Sequence, residues 1–333
     1  MNVRVHRLLV PALVVLLLAL GPAEAMAPGT EAVPGPSGLS KALQALLNGV
    51  QFGSVIAITA VGLSLVFGTT RLINFAHGEL VTVGAVTAFF FNASAGGPRW
   101  PLILSTVLAV IAGALLGGLI ELGLFRPLRA RGTSLISLFI ITIGLSLLLR
   151  HLVLILFGTS PRSYREYDLQ RAWNLGPVSI TPRDLTIIGL SVLVLLGVAL
   201  MLQKTRIGTA IRAVASNRDL AESSGIDVRR VVLVVWLLGG ALAALGGVFF
   251  GLAEVITWDM GFRLLLLMFA GIILGGLGSA YGAMVGSFVI GIVAQVSTLW
   301  FPIDLQNAWA LLVLIVVLLI RPQGILGRRE RVG

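Results

Sequence analysis

The sequence predicts an all-α protein of the membrane, a polytopic helix bundle of about nine spans. Three observations carry this. Hydrophobic residues make up 57% of the 333 residues and charged residues only 11%, where soluble domains carry about a quarter charged. Mean hydropathy is +1.01. Long apolar segments recur along the chain, joined by short polar or Gly/Pro-bearing stretches. With no cysteine, disulfide frameworks and thiolate chemistry are excluded.

The chain opens with a basic stretch, MNVRVHR, an apolar run over 8–20 and small residues ending in Ala23-Glu24-Ala25 and Ala25-Met26-Ala27. That is the pattern of a signal peptide over 1–27. The alternative is a retained signal anchor, which makes ten spans rather than nine. A Pro/Gly-rich extracytoplasmic linker is expected over 28–40. The transmembrane body follows over 41–321, with apolar segments at about 42–68, 72–92, 101–125, 134–157, 185–203, 231–253, 263–280, 283–301 and 307–320. The last few are short or broken by glycine, which suits pieces buried in protein.

Charge sets the orientation. Arg71, Arg126, Arg129, Arg131, the basic residues of 204–230 and the tail over 322–333 gather on one side of this arrangement. There they face only Asp219, Glu222, Asp227 and Glu330. On the other side, acids match the bases. By the positive-inside rule the first side is cytoplasmic, including the C-terminus. The net charge of +10 is therefore a topological signal directed at membrane lipid headgroups, not at nucleic acid.

Small residues recur every four positions: Gly49 and Gly53, Gly271 and Gly275, and Gly278, Gly282 and Gly286. This spacing lets helix backbones approach closely where no hydrophobic effect drives association. The glycine-dense run 270–286 makes Gly275 and Gly278 candidates for a pathway lining.

Ionisable groups in such a chain are functional candidates. Glu121 is expected near the inner interface by Arg126, and Arg150 near the outer end, where its long side chain snorkels. A direct pair between the two is not expected. The stretch RLINFAHGEL over 71–80 places Asn74, His77 and Glu79 just behind Arg71. Counted at helical rise they lie within about 12 Å of the inner surface. One reading is a broken helix start whose freed backbone groups these side chains satisfy. The other is an inner gate or pathway-lining element.

Residues 204–230 form the longest polar inner segment. Ala210–Ala221 reads as one short amphipathic helix, with Ile211, Val214 and Ala215 on one face and Arg212 and Arg218 on another, stopped at Gly225. Neither Lys41 nor Lys204 sits in a phosphate-binding loop, and no metal-ligand cluster or nucleophile constellation appears. The chain reads as a transport or channel component, not an enzyme.

Three stretches resemble a known family. GLSLVFGTTRLINFAHGEL, the segment GTAIRAVASNRDLAESSGIDVRRVVLVVWLLGGALAALGGVFFG, and LGGLGSAYGAMVGSFVIG with RPQGILG are similar to the LivH-type permease of bacterial branched-chain amino-acid ABC importers. The resemblance runs from about residue 41 to the end. It implies a cytoplasmic-membrane protein paired with a second, homologous permease subunit, two cytoplasmic ATPase subunits and an extracytoplasmic substrate-binding protein. ATP is then bound by the ATPases and no cofactor by this chain. It also implies an ATPase-coupling loop carried by Arg212, Ala213, Ala215, Asn217, Ala221, Gly225 and Ile226. Relatives also import urea or short amides, and a stand-alone carrier is the competing class.

Overall fold

The computed structural model describes residues 38–93, 97–166, 170–321 and 323–326. The expected signal segment 1–27, the linker over 28–37 and the tail over 327–333 lie outside the described residues. The linker's last residues, 38–40, are already helical.

Each of the nine apolar segments falls on a helix. They are α1 (Gly38–Thr70), α2 (His77–Asn92), α3 (Leu102–Ile120), α5 (Leu135–Phe157), α6 (Pro182–Lys204), α9 (Val228–Ala253), α10 (Met260–Gly275), α11 (Ala280–Ser297) and α12 (Gln306–Ile320). A π-turn, Glu121–Phe125, carries α3 into the short α4 (Arg126–Ala130). Among the described residues, seven helical stretches are long and apolar enough to cross a membrane, α3 counted with its continuation to Ala130 and α12 with the turn from Ile303. The polar segment forms α7 (Arg206–Ser216) and α8 (Arg218–Ser223). A two-stranded antiparallel hairpin, β1 (Trp173–Leu175) and β2 (Val178–Ile180), precedes α6.

Local chemistry marks the helix starts. Ser134, Thr181, Thr205, Asn217, Asp227 and Ser279 each accept a hydrogen bond from a backbone N–H of the first turn they precede. Such caps satisfy donors that have no intrahelical partner.

The bundle has a centre and a periphery. In α1, 83% of the span is buried against protein, whereas α5, α6 and α12 bury only 22% and turn large apolar side chains outward. The centre packs through glycine. Gly62 of α1 lies on the Gly239 backbone of α9, and Gly113 and Gly117 of α3 lie on Gly240 and Trp236 of that helix. Gly49 and Gly53 of α1 face Ile292, Phe288 and Gly291 of α11. A methyl group at these positions meets backbone, so dispersion between close backbones replaces the hydrophobic effect that lipid cannot supply.

Candidate functional site: the broken entry to α2 and the inner loop

After α1 the chain turns back into the bundle without forming helix. Arg71 adopts φ +57°, and its N–H bonds Phe67 O at 2.7 Å. Residues 71–74 form neither helix nor strand, and a turn at 75–76 leads into α2. Non-helical chain can advance up to about 3.3 Å per residue, twice the helical rise. His77 therefore climbs beside the middle of α1, where its Nε2 lies 3.1 Å from Thr59 O and donates to it. Thr59 is eleven residues before the end of α1, or about 16 Å along its axis. This corrects the shallower position expected from a helical count.

Asn74 closes the turn. Its Oδ1 accepts from the Ala76 N–H at 3.1 Å, and its carbonyl accepts from the His77 N–H at 3.3 Å. Its Nδ2 is buried and has no partner among the described residues. Glu79 occupies the first turn of α2, where a negative charge suits the helix dipole. It is fully buried, and its Oε1 accepts from Ser146 Oγ at 2.9 Å and from Arg150 Nε and Nη2 at 3.1 Å each. Arg150 also covers the Phe262 ring, with Cζ 3.6 Å from its centroid. Arg150 thus reaches inward rather than snorkelling outward, because a buried carboxylate needs a partner more than the guanidinium needs the interface.

Glu79's partners belong to a stripe. Thr142, Ser146 and Arg150 repeat every four residues along one face of α5, and Thr142 Oγ1 joins Ile73 O and the Phe75 N–H at 3.3 Å each. The rest of α5 is largely apolar and exposed. This stripe was missed as a unit in the sequence reading, although its i, i+4, i+8 spacing was the available signal.

The start of α10 meets the start of α2. Gly261 packs directly on the Gly78 carbonyl and leaves no space for a Cβ, and its N–H bonds Thr82 Oγ1 at 3.1 Å. Just before α10, Asp259 Oδ1 accepts a hydrogen bond from Arg263 Nη2 at 2.7 Å. At the other end of α10, Gly275 packs against Gly282 of α11, and Gly278, at φ +78°, turns the chain beside Gly68. The Ile325 and Leu326 N–H groups cap the Leu274 and Gly275 carbonyls at 2.7 and 3.1 Å. Gly275 is thus a packing and capping position.

The loop over 204–230 is two helices, not the single one expected over Ala210–Ala221. Asn217, at φ −153°, ends α7 and caps α8 by accepting from the Leu220 N–H at 3.0 Å. Gly225, at φ +84°, closes α8: its N–H bonds Glu222 O at 3.0 Å and the Ile226 N–H bonds Ala221 O at 3.1 Å. That paired arrangement needs a left-handed residue, which glycine supplies without strain. Ile211, Val214 and Ala221 are buried against the bundle, Ala213, Ala215 and Ile226 are half-buried, and Arg212, Asn217, Arg218 and Leu220 are exposed. The loop touches the end of α1 directly. Arg71 Nη2 donates to Ala215 O at 3.2 Å, and Gly68 approaches Gly278 and the Ala215 methyl. Nearby, buried Glu121 pairs with Arg129, with Arg126 and Arg218 adding positive charge around it.

Residues 45–321 match the family described as the branched-chain amino acid transport system permease component. This chain belongs to that family. It is 32% identical over 299 residues to the high-affinity branched-chain amino acid transport system permease protein LivH of Escherichia coli K12, covering 86% of this chain and 96% of the relative. It is 33% identical over 298 residues to BraD, the corresponding protein of Pseudomonas aeruginosa, with the same coverage. The ribose import permease RbsC of Escherichia coli K12 is 29% identical over 262 residues, 74% of this chain and 75% of the relative. No solved structure matches the chain. The permease is a multi-pass membrane protein.

Proposed function

We propose that this chain is the permease subunit of an ABC importer, carrying branched-chain or related small amino acids across the cytoplasmic membrane. The family match over residues 45–321 carries this reading. The chain works with a second, homologous permease subunit, two ATPase subunits that bind and hydrolyse ATP, and an extracytoplasmic binding protein. Its described residues span the membrane nine times, with α7, α8 and the C-terminus on the cytoplasmic side, and a retained signal anchor over 1–27 would make ten. The short helices α2 and α10 count as spans because the non-helical residues 71–76 and 254–259 complete them inside the protein, where irregular backbone is tolerated at membrane depth.

Arg212, Ala213, Ala215, Asn217, Ala221, Gly225 and Ile226 form the coupling loop. ATPase motion reaches the bundle through it. The Arg71 bond to Ala215 and the contact of Gly68 with Gly278 and Ala215 support that route. Asn74, His77 and Glu79 then form a gate element whose position depends on α1 and α5, and Gly275 and Gly278 form the pivot between α10 and α11. Substrate recognition in such a path needs few polar groups and an apolar lining.

The test is uptake by the assembled importer in proteoliposomes. Labelled leucine should enter only with ATP and binding protein, and unlabelled isoleucine or valine should compete. Competition by urea or short amides alone would move the substrate assignment to that class. Uptake by this chain alone, without ATP, would overturn the importer reading.

A further inference from the structure

Between α3 and α6 lies a groove of about 330 Å³ that the translocation reading does not use. Ile103 and Val107 of α3 and Ile187 and Leu190 of α6 form its walls, and Leu245 and Phe249 of α9 its floor. Both wall helices pack on α9, and no substantial contact closes the gap between them. The lining is effectively apolar. The Thr106 and Thr186 hydroxyls are each satisfied by a carbonyl of their own helix, at 2.8 Å.

Polarity is confined to one end, where Gln170 and Arg183 sit at the start of α6. Gln170 Oε1 is taken by the Arg183 N–H at 2.8 Å. The Arg183 guanidinium is loosely held, with Nε 3.4 Å from Asp184 Oδ1, while that oxygen is held more closely by Gln51 at 2.7 Å. Trp100, part-exposed just ahead of α3, marks the same level as a membrane interface.

We propose that this groove is a phospholipid site, with one acyl chain lying along α3, α6 and α9 and the phosphate on Arg183. The groove opens on a surface that faces acyl chains in a bilayer, since Ile103 is 73% and Val107 50% exposed. Its size selects the occupant. A helix about 10 Å across needs far more room than this groove offers along the roughly 10 Å of axis from Arg183 to Leu190, whereas a polymethylene chain is thin enough to lie in it. A guanidinium at the headgroup level supplies the bidentate geometry that phosphate favours. The site depends on membrane insertion and not on the transport reading.

Native mass spectrometry of the purified full chain in detergent tests it, with phosphatidylglycerol, phosphatidylethanolamine or diacylglycerol added separately. The wild type should retain one phospholipid per chain and hold diacylglycerol several-fold less. Val107→Trp, which fills the groove, should abolish retention, and Leu190→Phe should reduce it if the first variant folds poorly. Arg183→Gln should bring phospholipid retention down to the diacylglycerol level. Leu193→Trp, on the exposed face outside the groove, should behave as wild type. Unchanged retention in folded groove-filled variants, or equal retention of diacylglycerol by the wild type, overturns the proposal. So does loss of a co-purifying permease subunit from Val107→Trp with its lipid count unchanged.

Discussion

Replacing Arg150 with Met keeps most of its volume and removes only the guanidinium. In the folded protein Glu79 then loses two donors at 3.1 Å and keeps Ser146 Oγ at 2.9 Å as the partner of the same oxygen. Its other oxygen already has no partner among the described residues. A buried carboxylate left this way costs about 3–5 kcal/mol. The lost contact with Phe262 adds to the cost, at roughly 0.5–2 kcal/mol. Adding Glu79→Gln removes the stranded charge while retaining an acceptor for Ser146. The double variant should therefore recover about 2 kcal/mol or more relative to the sum of the single changes. Reversible denaturant unfolding in mixed micelles measures all four corners of the cycle. A single-variant cost below about 1 kcal/mol, or strict additivity, would refute the ion pair as the anchor of α2.

Arg71→Gly should relieve a left-handed backbone strain of about 1–3 kcal/mol while deleting the bond to Ala215. The expected outcome is a well-folded importer that hydrolyses ATP with reduced uptake, and retained uptake per ATP argues against the link. Gly261→Ala forces a methyl onto the Gly78 carbonyl and should destabilise by about 1–3 kcal/mol, read as a lower unfolding midpoint. Asn217→Ala should cost about 1 kcal/mol of local stability and Gly225→Ala about 1–2 kcal/mol. Hydrogen exchange should show faster opening confined to residues 206–226 in both, while protection of α1 and α9 stays unchanged.

The apolar segments were legible because lipid-facing and interhelical surfaces demand nearly continuous hydrophobicity over a span's length. Their ends were set less sharply, since the caps at Thr181, Thr205 and Asp227 lie outside the apolar runs. The broken entry to α2 was less legible. Asn74, His77 and Glu79 stood out as polar residues in an apolar chain, but their depth depended on whether residues 71–76 rise as helix or as non-helical chain. Periodicity does not distinguish these over six residues. Asn217 misled in another way: inside an amphipathic pattern it reads as a polar-face residue, while its side chain ends one helix and starts the next.

By itself the sequence determined the class, the nine apolar segments and the residues whose polarity needed an explanation. Each of these follows from short-range chemistry: hydropathy over a span and the cost of polar groups in lipid. The tertiary structure alone decided that Glu79 is answered by Arg150, separated by 71 residues, and that Arg71 reaches Ala215, separated by 144. It also left the groove between α3 and α6 open. Such pairings depend on which faces of distant helices meet, and that is set by the global packing of backbones at glycine contacts rather than by any local pattern.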